Sequence, residues 1–167
     1  LDGMNQAAYA AGQPIPNIIG MAFSYSMTIA VLYPAFALAV LIFSKSNQLK
    51  TVGKISIAPA FFGISEPLMF GVPVVMNPFM AIPWIISPTV NVLLGWLACS
   101  SGLVARYAGV TVFNFPMGVT GILNGSFTIA ILEVVVCIID VLIFMPFVRI
   151  QDKKYIDAEK AAETEQN

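Results

Sequence analysis

The chain has 167 residues, of which 58% are hydrophobic and only 10% charged, and its mean hydropathy is +0.85. A soluble domain carries about 25% charged residues, so this composition excludes a disordered chain, a coiled coil and an ordinary water-soluble enzyme. A net charge of −1 leaves no basic footprint for nucleic acid, and the absence of histidine removes Ser-His or Cys-His catalysis and histidine metal sites. No catalytic residue, metal or cofactor is therefore expected.

Residues 1–17 are small and polar, and read as an extracellular loop or short surface helix. Residues 18–43 are uncharged and long enough to cross a ~30 Å hydrocarbon core. Pro34 is expected to kink or break that run, while Ser24, Ser26 and Thr28 are suited to helix packing. Residues 44–54, SKSNQLKTVGK, form a lysine-rich connector or a short interfacial helix, placed on the cytoplasmic side by the positive-inside rule.

Residues 55–78 are apolar but interrupted by Pro59, Gly63, Pro67, Gly71, Pro73 and Pro78. Irregular backbone at membrane depth is tolerated only where it is buried in protein or lines a wet cavity. Two half-helices forming a re-entrant hairpin with Glu66 near its tip are the expected result. Residues 79–98 form a second span, with Trp84 and Trp96 placed for the interfacial aromatic belt. Residues 109–125 are too short and too glycine-rich for a span and read as a second re-entrant segment.

Residues 126–148 form the last span, ending at Pro146, and residues 149–167 a polar cytoplasmic tail, helical or disordered. Cys99 and Cys137 lie in apolar runs and read as small buried hydrophobes. The fold expected is all-α and membrane-embedded over residues 18–148, with about three full spans plus two re-entrant helical hairpins. The crossings return the chain to the cytoplasm and put residues 1–17 outside. With Leu1 in place of Met and no signal peptide, further spans are expected ahead of it.

A carboxylate inside a bilayer costs ~2.5–3.5 kcal/mol on insertion scales, which makes Glu66 a functional candidate. Broken half-helices direct unpaired backbone groups at a common point, and a carboxylate accepts hydrogen bonds from hydroxyls, so a polyol or sugar suits the site. The structural alternative is that Glu66 caps a half-helix or pairs with a lysine. Asn77 is a second candidate of the same kind. Phe113 and Phe115 offer aromatic faces to a sugar ring or simply pack. Asn114 and Asn124 offer hydrogen bonds to sugar hydroxyls or to hairpin backbone. Glu133 and Asp140 share one helix face and suggest a proton or cation path, or pairing with Arg106 or with a segment ahead of Leu1.

The run GISEPLMFGVPVVMNPFMAIPWIISPTVN, residues 63–91, resembles the sugar-translocating enzyme IIC of the bacterial phosphotransferase system, in its lactose/cellobiose (N,N′-diacetylchitobiose) branch. The resemblance is carried by Glu66-Pro67, Phe70-Gly71, Pro73, Asn77-Pro78 and Ile82-Pro83, and extends to SKSNQLKTVGK and to residues 141–153. It implies a multi-pass permease of the bacterial cell membrane that binds a β-linked disaccharide, phosphorylated on release inside by a phosphorylated IIB partner. It implies Glu66 near the sugar 6-hydroxyl, and a homodimer formed through an N-terminal half that this chain does not match. The substrate-binding set expected is Glu66, Ser65, Asn77, Phe113 and Asn114. Ser65 stands where the family often has Asn, Phe113-Asn114 replace a Pro-Trp pair, and residues 28–36 lack the family's glycine-rich loop. The alternatives are a proton- or cation-coupled carrier and a non-functional truncated half-permease.

Overall fold

The computed structural model describes residues 1–75 and 77–165, and among these it is all-helical with no strand. Three helical stretches are long and apolar enough to cross a membrane: Met21–Phe43, Pro78–Ser100 and Phe127–Thr164. The tail residues 166 and 167 lie outside the described residues.

The first span is built from helix α2 (Met21–Tyr25), a π turn (Ser26–Ala30) and helix α3 (Leu32–Phe43). Pro34 does not break it. The wider π turn shifts the hydrogen-bond ladder just ahead of the proline, and the α-pattern is regained where the Ala35 N–H reaches the Val31 carbonyl at 3.1 Å. Helix α6 (Pro78–Ser100) carries Pro83 and Pro88 inside it, and helix α8 (Phe127–Glu165) carries Pro146. Helix α8 therefore does not stop at Pro146. Packing against neighbouring helices supports a proline-containing span in a way that an isolated helix lacks.

The three spans share a core in which Phe36 lies 4.8 Å from Phe144 and 5.4 Å from Trp84, centroid to centroid. Trp84 thus belongs to the packing between spans, not to an aromatic belt. Trp96, by contrast, is 43% exposed.

At the end of the bundle where the first span begins, helix α1 (Asp2–Ala10) is a structural lid. The Asp2 carboxylate accepts the N–H groups of Met21 (2.7 Å) and Ala22 (3.1 Å), capping the first span where no local side chain does so. Asn5 is buried, donates to the Asn17 and Tyr107 carbonyls and accepts from Asn17. Arg106 donates to the carbonyls of Ile15 and Pro16, so it pairs with neither Glu133 nor Asp140.

At the end where the first span closes, helix α4 (Asn47–Phe61) begins inside the lysine segment. Its amino terminus is capped locally by Ser46, whose hydroxyl accepts the Leu49 N–H at 3.4 Å, and also from far along the chain. Asp152 accepts from the Lys45 and Ser46 N–H groups and from the Ser46 hydroxyl, and Glu159 accepts from the Asn47 and Gln48 N–H groups. The tail is the docked continuation of α8 and not a free solvated end.

Helix α5 (Glu66–Gly71) folds back on α4. A Cβ on Gly71 would lie 2.6 Å from Val52 Cγ1, so only glycine admits this closeness. The turn between them uses Gly63 at φ +75°, a left-handed conformation that disfavours a side chain. The second interrupted segment takes a different form from a pair of half-helices. It is an irregular limb leading to helix α7 (Val119–Leu123), a single short helix. The buried Asn124 holds that limb, accepting from the Gly109 and Val110 N–H groups and donating to the carbonyls of Val110 and Thr120. Asn124 thus serves the backbone.

Candidate substrate site

The residues singled out in the sequence fall into two groups. Gly63, at the turn between α4 and α5, lies against the first span: a Cβ there would be 3.0 Å from Tyr25 Oη and 3.7 Å from Asn114 Oδ1. Tyr25 Oη accepts the Asn114 N–H at 2.9 Å, and the Phe113 ring stands edge-on to Tyr25 at 5.1 Å between centroids. The turn preceding Ser65 and Glu66 and the loop carrying Phe113 and Asn114 therefore meet at one side chain. Asn114 adopts φ +58°, which its short amide side chain tolerates better than most residues.

Asn77 lies elsewhere. Its Oδ1 accepts from the Phe79 and Met80 N–H groups, capping α6, and its Nδ2 donates to Gln151 Oε1. It lies at the end of the bundle that holds Gln151 and Asp152, and its geometry is that of a helix cap.

Glu66 is the first residue of α5 and is exposed, not buried as the membrane argument requires. The short helix explains this. Leu68 turns inward and is fully buried, which sends Glu66 and Phe70, one turn apart, to the opposite face, where Phe70 is 76% exposed. Among the described residues Glu66 has no hydrogen-bond or ionic partner, so it caps nothing and meets no lysine. Ser65 precedes it as a helix cap whose hydroxyl makes no capping bond. Phe113 is 60% exposed, Phe115 and Asn114 are also exposed, and Tyr25 is nearly buried at 6%. The exposed Phe113 and Asn114 are held against the Tyr25 phenol, and the turn that meets them at Gly63 leads directly into Ser65 and the exposed Glu66, so a carboxylate, a hydroxyl, an amide and aromatic rings follow from these two segments. Those are the groups with which proteins hold hydroxyl-rich ligands.

The first span is held below Tyr25 by the two carboxylates of α8. Glu133 is fully buried. It accepts from the Ser26 hydroxyl (2.5 Å), the Thr120 hydroxyl (2.7 Å) and the Gly118 N–H (2.6 Å). Because Ser26 donates its single proton to Glu133, Tyr107 must be the donor in the 2.9 Å contact between Tyr107 and Ser26. Burial, with the Glu133 carboxylate adding to it, holds the Tyr107 phenol well above its ordinary range, so that donor is permanent. One turn-pair further along, Asp140 accepts from Asn91 Nδ2 at 2.7 Å, and Asn91 also donates to the Met27 carbonyl. Ser26 and Met27 both lie in the π turn, so the face shared by Glu133 and Asp140 anchors the turn beside Tyr25. Sequence reasoning found the acidic pair but not Tyr25, Tyr107 or Asn91. Ser26, suited by its size to helix packing, joins the first span to Glu133 and Tyr107.

Residues 1–88 match the family described as "Phosphotransferase system, EIIC". The chain belongs to the EIIC family. Among EIIC relatives, the oligo-beta-mannoside-specific EIIC component of Bacillus subtilis (strain 168) is 37% identical over 162 residues, covering 93% of this chain and 37% of that protein. The cellobiose-specific EIIC component of Geobacillus stearothermophilus is 40% identical over 133 residues, covering 78% of this chain and 30% of that protein. The crystal structure of the transporter ChbC, the IIC component from the N,N′-diacetylchitobiose-specific phosphotransferase system, superposes with a TM-score of 0.89 at 36% identity, over 95% of this chain and 38% of that one. The chain thus spans only about 30–38% of the length of these EIIC relatives. With three spans of its own, it is a multi-pass membrane protein.

Proposed function

We propose that this chain forms the substrate-binding part of an EIIC sugar permease of the bacterial cell membrane, and that Glu66 and Ser65, with Phe113 and Asn114, grip a β-linked disaccharide. The observation that carries the reading is the meeting of the Gly63 turn with Asn114 at Tyr25. It brings the turn that leads into Ser65 and Glu66 against the loop carrying Phe113 and Asn114, which supports reading these four of the five candidate residues as one site. Asn77 drops out of the ligand set as a capping residue. The exposed Glu66 face is one wall of the site, and the opposite wall comes from the part of the permease that this chain does not span.

The α4–α5 pair is a re-entrant hairpin in this reading. Two facts support it. Its start at Ser46 and its exit at Asn77 both contact the same stretch of α8, through Asp152 and Gln151. Its turn reaches Tyr25, which lies eighteen residues before Phe43 on the first span, about 27 Å at 1.5 Å per residue. The segment therefore enters and leaves at the cytoplasmic end while its tip reaches deep into the bilayer. The limb and helix at residues 109–125 meet that tip from the outer side. A sugar at the tip is released toward the inner end, where a phosphorylated IIB partner transfers its phosphoryl group to a sugar hydroxyl. The lactose-specific relative of Lacticaseibacillus casei, 33% identical, is named an EIICB component, which accords with a IIB partner. Dimerisation belongs to the N-terminal half of the full permease.

A carrier coupled to protons or cations through Glu133 and Asp140 fits less well. Three donors converge on Glu133 and hold it as a structural acceptor. The test is disaccharide binding by isothermal titration, with the chain in the context of a full EIIC permease. Binding of cellobiose or diacetylchitobiose is expected, with loss of at least tenfold in affinity for Glu66→Gln. Unchanged affinity in that variant removes Glu66 from the site. Uptake that persists without phosphoenolpyruvate and a IIB protein, but collapses with the membrane potential, restores the coupled carrier.

A further inference from the structure

A cavity of about 510 Å³ opens at the inner end, between the close of the first span and α8. Its polar wall carries three cations: Lys45, Arg149 and Lys153. Among the described residues none of the three is in an ion pair with an acidic side chain. The one carboxylate in the wall, Asp152, is already committed, with both oxygens accepting hydrogen bonds at the amino terminus of α4. The guanidinium of Arg149 is fixed over the Phe43 ring at 5.1 Å, which orders it beside the cavity. Ser44, also in the wall, is 97% buried, and its hydroxyl has no hydrogen-bond partner. A buried hydroxyl without a partner is costly unless something completes it. The remaining wall is apolar: Ile42, Phe43 and Ile156, with Ile42 59% exposed on the last turn of the first span.

We propose that this cavity binds the headgroup of an anionic phospholipid of the inner leaflet. Its phosphate sits among Lys45, Arg149 and Lys153, and its acyl chains run along Ile42. The lining argues for a lipid over a soluble anion or an acidic protein. Cations and hydrocarbon side chains share one concavity at the level where the first span ends and the lysine segment begins, which is where an anionic leaflet presents phosphate above acyl chain. A free phosphate has no use for the apolar wall. A protein surface would need a broad face instead of a cavity the size of one headgroup. This inference is independent of the sugar site, since it uses none of the residues assigned there. The lipid would act as a clamp between Ser44–Lys45 and α8, beside the Asp152 cap that starts the hairpin.

The test is a lipid titration of the detergent-purified protein, with the chain in the context of a full EIIC permease and bound lipid counted by native mass spectrometry. Phosphatidylglycerol and phosphatidylcholine of identical acyl chains are compared. At least tenfold preference for phosphatidylglycerol is expected. Removing one cation should weaken it by about fivefold, so Arg149→Gln and Lys153→Gln should each lower it and the double variant should abolish it. Lys160→Gln, an exposed change of equal charge further along α8, should leave it intact. Should the double variant fail to fold, the single variants decide. Equal binding of the two lipids by the unmodified protein overturns the proposal. So does an equal loss in Lys160→Gln, which would mark a diffuse charge effect. Complete displacement of phosphatidylglycerol by millimolar inorganic phosphate would also overturn it, by showing a site for the free anion.

Discussion

The phenolic oxygen of Tyr25 accepts the backbone N–H of Asn114 at 2.9 Å, across 89 residues of chain. The same oxygen closes the space beside Gly63, so one side chain sets the spacing between the hairpin tip and the Phe113–Asn114 loop. Replacing it by phenylalanine keeps the ring that meets Phe113 edge-on but leaves the Asn114 N–H without its acceptor. A net hydrogen bond is worth about 0.5–1.5 kcal/mol. Tyr25→Phe should therefore weaken disaccharide binding by about three- to tenfold, with little change in thermal unfolding. A drop in melting temperature with unchanged sugar affinity would show that Tyr25 serves packing alone.

Gly63 presses the same contact from the other side. Alanine there must hold a left-handed backbone, at about 1–2 kcal/mol, and place a methyl 3.0 Å from Tyr25 Oη. The hairpin tip is expected to retreat from the first span. Gly63→Ala should lower both the melting temperature and sugar affinity, whereas Gly12→Ala, also at positive φ but in open space, should lower the melting temperature by the backbone strain alone and leave binding unchanged. Equal behaviour of the two variants would show backbone strain alone to be at work.

How far the sequence discloses this arrangement depends on the range of the interactions involved. The spans follow from uninterrupted apolar runs, and the run from Ile18 to Phe43 anticipates the observed Met21–Phe43 to within a few residues. The break at residues 62–65 is announced by Gly63 and Pro67, because backbone freedom is a local property. The start of α4 at Asn47 is announced only in part, by Ser46 as a local cap and by the short interfacial helix that the lysine segment allows. Its other caps, Asp152 and Glu159, lie more than a hundred residues away and carry no local signal. The continuation of α8 past Pro146 is hidden for a related reason: a proline stops a helix unless neighbouring spans support it. Tyr25 carried no signal, since its value arises only when Gly63 and Asn114 converge on it. The exposure of Glu66 follows from the direction in which Leu68 packs.

The Glu133 site gives a sharp prediction about stability. Glu133→Ala strips the acceptor from the Ser26 and Thr120 hydroxyls and from the Gly118 N–H. A buried donor left unsatisfied costs about 1–3 kcal/mol, so the three together should cost at least about 3 kcal/mol, read as a large fall in melting temperature. Glu133→Gln retains an acceptor oxygen but turns an amide N–H₂ toward at least one donor, and should fall between the two. A proton path would show the reverse order of effects, with transport lost in Glu133→Gln while stability stayed near that of the unmodified protein.

The Asp152 cap isolates the contribution of the tail. Asp152 supplies acceptors to two backbone N–H groups and one hydroxyl at the start of α4, and its negative charge lies at the positive end of that helix. Loss of a capping side chain costs about 0.5–2 kcal/mol. Asp152→Ala should raise amide hydrogen exchange over residues 45–52 while leaving the core of the first span protected. Asp152→Asn keeps one acceptor oxygen and should give an intermediate rise. Glu159 holds the next two N–H groups at Asn47 and Gln48, so the doubly substituted protein should lose protection further along α4 than either single variant. If exchange over residues 45–52 were the same in all of these variants, α4 would hold its own amino terminus, and the tail would have no part in seating the hairpin.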